Sequence, residues 1–300
     1  MGDVFKDPRG VDSRGYYMGS MNGQTQYGDV IGAGLVSDFN EAPKVLAADL
    51  NRHSLSTNEW MSEFFNSSSI PVGHGFTQSN IDANFASYSF EPKSNLPLKV
   101  IVFDDTQSEN DFNVNEHGYV DNKSFDWLIN ELDKGQSEGK LMIISAHIPV
   151  YLIGYASHSP VSKEKLIAKL QTYPNLILWI SGHLHKNKVV AYKSPDINHP
   201  EFGFWHVETA SIKDFPQQFR TFNIVLNDDN TISIFAVNVN PAFSAGSLGE
   251  TAFFYSVASI QIFFPDLNLI SSGAYNAELL KKLSPEMQIK LQQYKSKLIK

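Results

Sequence analysis

The sequence predicts an α/β fold with a covered sheet, and three observations carry that prediction. Three apolar runs, Leu98–Phe103, Leu141–Ile144 and Leu176–Ile180, have the length and continuity of strands buried on both faces. Helical patterns separate them. Each run ends in polar residues: Asp104-Asp105, Ser145-Ala146-His147 and Ser181-Gly182-His183.

The first stretch, residues 1–95, is rich in Gly, Ser, Asn and Asp and shows little sustained periodicity. Turn signals cluster at Met21-Asn-Gly23, Tyr27-Gly-Asp29 and Val72-Gly-His-Gly75. Trp60, Phe64 and Phe65 suggest a short helix over Glu59–Phe65. We expect this stretch to be loop-rich and to pack on the core that follows.

The core is expected over residues 96–270. After the first strand, Ser124–Glu138 reads as a helix with Phe125, Leu128, Ile129 and Leu132 on one face. Ser162–Leu170 reads as a second helix, with Ser162 as N-cap. Beyond the third strand the texture changes to shorter strands, Lys188–Tyr192, Gly203–Glu208, Phe222–Leu226 and Thr231–Val239. Asn227-Asp-Asp-Asn230 is a hairpin turn between the last two. The apolar span Ala252–Ile270 contains Ser256, Ser259, Gln261, Pro265, Asp266 and Asn268, which argues against a membrane helix; it reads as core. Residues 271–300 end in a helix that Ser284-Pro285-Glu286 starts. Met287, Leu291, Tyr294 and Leu298 form its packing stripe.

Composition narrows the function. The net charge is -8, from 24 basic and 32 acidic residues, which opposes sequence-independent nucleic-acid binding. There is no cysteine, so disulfides, thiolate metal sites and cysteine nucleophiles are excluded. Any metal must be held by His, Asp, Glu or Asn. No secretory leader or membrane span is legible, and the default compartment is cytoplasmic.

Three histidines are placed for chemistry. His147, His183 and His185 follow the ends of buried strands, where loops of open α/β sheets converge on ligands. If the chain runs extended, His183 and His185 share a face. Gly182 would then allow a sharp turn before them. Neutral imidazoles held close are natural metal ligands. Several other residues have two readings. Asp104 and Asp105 either line the same cleft or cap a turn. His74 lies between glycines and either faces substrate or sits on a loop. His206 and Glu208 alternate on a strand, so they either support the histidines from behind or face solvent. Arg220 either grips a phosphate with its fork or makes a surface ion pair.

Ser145-Ala-His147-Ile-Pro149 followed by Ser181-Gly-His183-Leu-His185 resembles the last two motifs of calcineurin-like metallophosphoesterases. The segment from Trp205-His-Val-Glu208 through Asp214-Phe-Pro-Gln-Gln-Phe-Arg220 resembles a bacterial subgroup of uncharacterised members. The resemblance covers Leu98–Val239. It implies two mixed sheets packed face to face and flanked by helices. It also implies two divalent ions (Mn, Fe or Zn), about 3.5–4 Å apart, that clamp a phosphoryl group. His147 and His183 would serve one ion and His185 the other. The family's earlier D-x-H, G-D-x-x-D and G-N-H-(D/E) motifs do not occur. The resemblance therefore points to the C-terminal half of a phosphoesterase for small-molecule mono- or diesters, incomplete or inactive in isolation. Its partner would be a missing N-terminal half or a second copy. The alternatives are a non-catalytic remnant and an interaction subunit of the same fold.

Overall fold

The computed structural model describes residues 14–16, 44–46, 55–106, 118–154, 159–263 and 276–298. They divide into two compact units: residues 1–74 with 81–85, and residues 75–80 with 86–300.

In the first unit, β1 (Arg14–Tyr16) pairs antiparallel with β2 (Lys44–Leu46). Helix α1 (Thr57–Glu63) opens on a capping box, in which Ser56 and Glu59 satisfy each other's backbone amides. The helical pattern read around Trp60 thus starts two residues earlier than the apolar spacing alone suggests.

Along the chain α2 (Gln78–Asp82) comes next, followed by the main part of the second unit. Its main body is a six-stranded sheet, ordered β3-β4-β5-β6-β8-β7. The strands are β3 (Tyr88–Phe90), β4 (Leu98–Phe103), β5 (Leu141–Ala146), β6 (Leu176–Ser181), β7 (Lys188–Tyr192) and β8 (Phe204–Glu208). β4, β5, β6 and β8 run parallel; β3 and β7 are antiparallel edges. The parallel strands all end on one side, and that side carries His147, His183 and Glu208.

The covered-sheet expectation holds. On one face lie α3 (Asn122–Ser137) and α4 (Lys163–Leu170), packed with Ile101, Phe103, Met142, Ile144, Leu176 and Trp179. Asp121 caps α3 by accepting from the Ser124 amide, and Ser162 caps α4 through the Lys165 amide. Gly135 lets α3 approach the sheet: a Cβ there would lie 2.4 Å from Met142 Sδ. On the other face lies a second sheet, antiparallel and ordered β11-β10-β9, from β9 (Phe219–Leu226), β10 (Thr231–Val239) and β11 (Ala277–Lys282). It sandwiches Leu141, Ile143, Ile177, Leu178 and Val207 with Ile232, Ile234 and Leu279. The pairing of β5 with β6 shifts register between Met142 and Ile143. Ile177 and Leu178 consequently share a face, where strict alternation would split them.

The C-terminal helix, α6 (Pro285–Leu298), starts at its Ser284 cap and buries Met287 and Leu291 against the second core. The mixed α/β architecture of two sheets flanked by helices is the one the sequence predicts.

One expectation fails. The span read as core from Ala252 overlaps α5 (Leu248–Phe263), whose outer face carries, within that span, exposed Phe254 and Tyr255. Glu250 is its one charged residue, so mean hydropathy suggested burial. Only the face containing Phe253 and Ser256 turns inward, with Phe253 against Phe215 and Phe243. The part of that span beyond Phe263 lies outside the described residues. β11 was not anticipated, because Ala277-Glu-Leu-Leu-Lys-Lys282 carries helix-forming residues. Pairing with β10 overrides that preference.

Candidate metal and catalytic site

The site is assembled from three turns at the carboxyl ends of β5, β6 and β8. The first follows β5. Asp105, fully buried just beyond β4, accepts the His147 amide at Oδ1 and the Ile148 amide at both oxygens, each at 3.1 Å. Its carboxylate therefore holds the turn that presents His147. Burial pushes its pKa well up, against the pull of the two amides. Asp104 has the local role: its Oδ1 caps the Thr106 amide and hydroxyl. Of the adjacent acids, one closes a turn and the other grips a neighbouring strand.

The second turn follows β6. The Gly182 amide donates to the His147 carbonyl at 3.1 Å, tying the two turns together. His147 Nε2 and His183 Nδ1 stand 3.3 Å apart, with the rings edge to face at 5.1 Å. The extended His183-Leu-His185 segment expected from the sequence is not present. β6 stops at Ser181, and both histidines are left-handed, with φ of 69° and 55°. That conformation costs an L-residue roughly 1–2 kcal/mol, and such strain clusters at functional sites. The rings consequently part. His183 meets His147, while His185 Nδ1 meets Asp214 Oδ2 at 2.5 Å. Gly182 is not the turning point, and a Cβ on it would meet nothing within 4 Å.

Asp214 lies in the turn after β8. Ser211 Oγ accepts the Lys213 and Asp214 amides, and the Asp214 carbonyl accepts the Gln217 amide at 2.6 Å. Arg220 reaches two asparagines. Its Nε donates to Asn238 Oδ1 at 2.7 Å and its Nη2 to Asn187 Oδ1 at 3.0 Å. Asn187 Oδ1 also accepts the Ala210 amide. This network braces the segment that follows His185 against the Asp214 turn.

His206 and Glu208 point inward from β8, which rules out the solvent-facing reading. β8 is an interior strand of the sheet, so both of its faces are covered. His206 Nε2 is 2.7 Å from Ser181 Oγ, and its ring stacks on Tyr192 at 6.2 Å. Burial, with a smaller contribution from Lys188, pulls its pKa down to about 3. Glu208 Oε2 accepts the Tyr151 hydroxyl at 2.6 Å. Burial raises the Glu208 pKa; the Tyr151 bond and the charges of Lys188, Lys186 and His183 oppose that rise. Glu208 Oε1 and His206 Nδ1 are buried with no hydrogen-bond partner among the described residues.

His74 belongs to the first unit, where its Nε2 is 3.0 Å from Ser67 Oγ and its ring meets Phe64 edge-on. Sequence reasoning missed Asp214, Tyr151 and Lys188. Asp214 lay inside the segment that carried the resemblance, and Tyr151 is four residues past His147, so position alone could have nominated both.

The implied metals can be tested against these groups. Two nitrogens bound to one tetrahedral ion at 2.0–2.1 Å lie about 3.4 Å apart, so His147 Nε2 and His183 Nδ1 fit two positions of a single ion. Burial and the charges of His183 and His185 lower the His147 pKa, which favours the neutral imidazole that ligation requires. A two-ion centre does not fit. Among the described residues no three His, Asp or Glu side chains are gathered to hold an ion. His185 Nδ1 is already engaged by Asp214.

Comparison with known proteins adds little to this. No family model and no curated protein matches the chain. Among solved structures it is similar to a dimetal phosphatase from Danio rerio, at 13% identity and a TM-score of 0.42, over 62% of this chain and 70% of that one. A similarity of that size assigns no chemistry.

Proposed function

We propose that this chain carries the histidine-bearing half of a metal-dependent phosphoester hydrolase site, acting on small-molecule mono- or diesters. The observation that supports it is the 3.3 Å pairing of His147 Nε2 and His183 Nδ1, on tied turns at the ends of adjacent parallel strands. An ion bound there would supply Lewis acidity toward a phosphoryl oxygen. The chain's own groups have separate tasks. Asp105 fixes the backbone under His147. Asp214 holds a proton on His185 Nδ1 and so leaves Nε2 as the atom that accepts or donates one. Further acidic ligands would come from a separate N-terminal half or from a second copy of the chain.

A second reading, a fold retained without catalysis, draws on the failure of the described residues to gather three ligands. Elemental analysis of the untagged protein separates the two. Bound manganese, iron or zinc near stoichiometry, with hydrolysis of a chromogenic phosphodiester, supports the hydrolase. Protein free of metal after equilibration with each ion, and inert toward mono- and diesters, refutes it.

A further inference from the structure

We propose that α5 and the turn it packs on form a face that docks on an anionic lipid surface. Such a contact requires neither a metal nor catalysis, so it stands whether or not the chain hydrolyses phosphoesters.

A helix on a protein surface ordinarily turns a charged stripe toward water. α5 does not. Glu250 is the one charge in its 16 residues, and that carboxylate accepts the Gly246 amide at 2.6 Å. Phe253 and Ser256 turn inward; Leu248, Phe254 and Tyr255 lie outside that face and are 88%, 59% and 73% exposed. The exposed polar members, Thr251, Ser259 and Gln261, are uncharged. An apolar face of this kind marks a contact with a partner or a membrane. The helix is shorter than the roughly 20 residues that span a bilayer. No helix among the described residues is long and apolar enough to cross one. A lipid contact would therefore lie along the surface.

Charge selects the occupant. Gln217 Nε2 donates to the Ala252 carbonyl of α5 at 3.5 Å and to the Lys213 carbonyl at 3.4 Å, and Phe253 packs on Phe215. The turn after β8 is thus fixed to the helix, and it exposes Ile212 and Lys213 beside it. The same turn holds His185 through Asp214, and the next residue, Lys186, is exposed. Two cations therefore border the apolar face. The nearby acids are engaged: Asp214 by the His185 ring and Glu250 by a backbone amide. The whole chain carries a charge of -8, so this cationic rim is a local feature. Apolar side chains entering the acyl boundary, with ammonium groups at phosphate headgroups, is the pattern of a surface-bound helix. A second copy docked on the same face would bring like lysines toward each other.

The test is flotation of the untagged full chain with vesicles of phosphatidylcholine alone, and of phosphatidylcholine mixed with phosphatidylglycerol. Wild type should float with the mixed vesicles far more than with the neutral ones, and added salt should release it. Lys186→Gln and Lys213→Gln should each weaken that binding about fivefold. Phe254→Ser combined with Tyr255→Ser should weaken it on the order of tenfold or more, with an unchanged melting temperature because both side chains are exposed. If the serine pair disturbs the helix, Tyr255→Trp reads the same contact: its emission should shift to the blue when mixed vesicles are added. Wild type that floats with neither vesicle, or equally with both, overturns the proposal. So does wild-type binding in the lysine and serine variants alike. A dimer in sedimentation velocity that the serine pair breaks, without vesicle binding, overturns it in favour of a second copy.

Discussion

Acid should unfold this protein in part through one imidazole. His206 is fully buried, is bonded to Ser181 and has its pKa pulled from 6.5 to about 3. In the unfolded chain the same ring titrates near 6.5. As pH falls below that value the unfolded state takes up a proton and the folded state does not, so stability is lost down to about pH 3. At 1.36 kcal/mol per pH unit the loss is about 2 kcal/mol between pH 7 and 5, and about 5 kcal/mol at the limit. Asp105 and Glu208 are shifted the other way, and His147 the same way. The total pH dependence is therefore not diagnostic, but a difference between two proteins is. Urea unfolding at pH 7 and pH 5 should be measured for wild type and for His206→Gln, which retains a partner for Ser181. Wild type should lose about 2 kcal/mol more than the variant over that interval. Equal losses would refute the reasoning, because they would mean that the folded ring accepts protons as readily as the unfolded one.

Two further outcomes follow from the site. Asp105→Asn replaces one of the two oxygens that receive the His147 and Ile148 amides with a competing donor, and should cost about 1–3 kcal/mol in chemical denaturation; an unchanged midpoint would show that the turn holds itself. Gly182→Ala places its Cβ in open space, and should leave the melting free energy within about 0.5 kcal/mol of wild type.

The parts of the fold that depend on neighbours in the chain were legible. Ser162 and Ser284 announce their helices, because an N-cap and the amides it satisfies lie within one turn. The apolar runs of β4, β5 and β6 announce a sheet covered on both faces, and the two cores lie where that predicts. The same local reasoning misjudged α5 and β11. Mean hydropathy does not say what covers Phe254 and Tyr255, and propensity does not anticipate the pairing of β11 with β10.

For the site, the sequence by itself determined that His147 and His183 follow the ends of buried strands. Strand period and chain order are local properties, and parallel register then brings those ends side by side. Only the tertiary structure decided what each side chain meets. Left-handed backbone at His183 and His185 sends one ring to His147 and the other to Asp214. The Asp105 carboxylate reaches the His147 turn from β4, and Tyr151 and Glu208 meet across 57 residues of sequence. These contacts depend on turn geometry and on register between distant strands, and no sequence spacing encodes either.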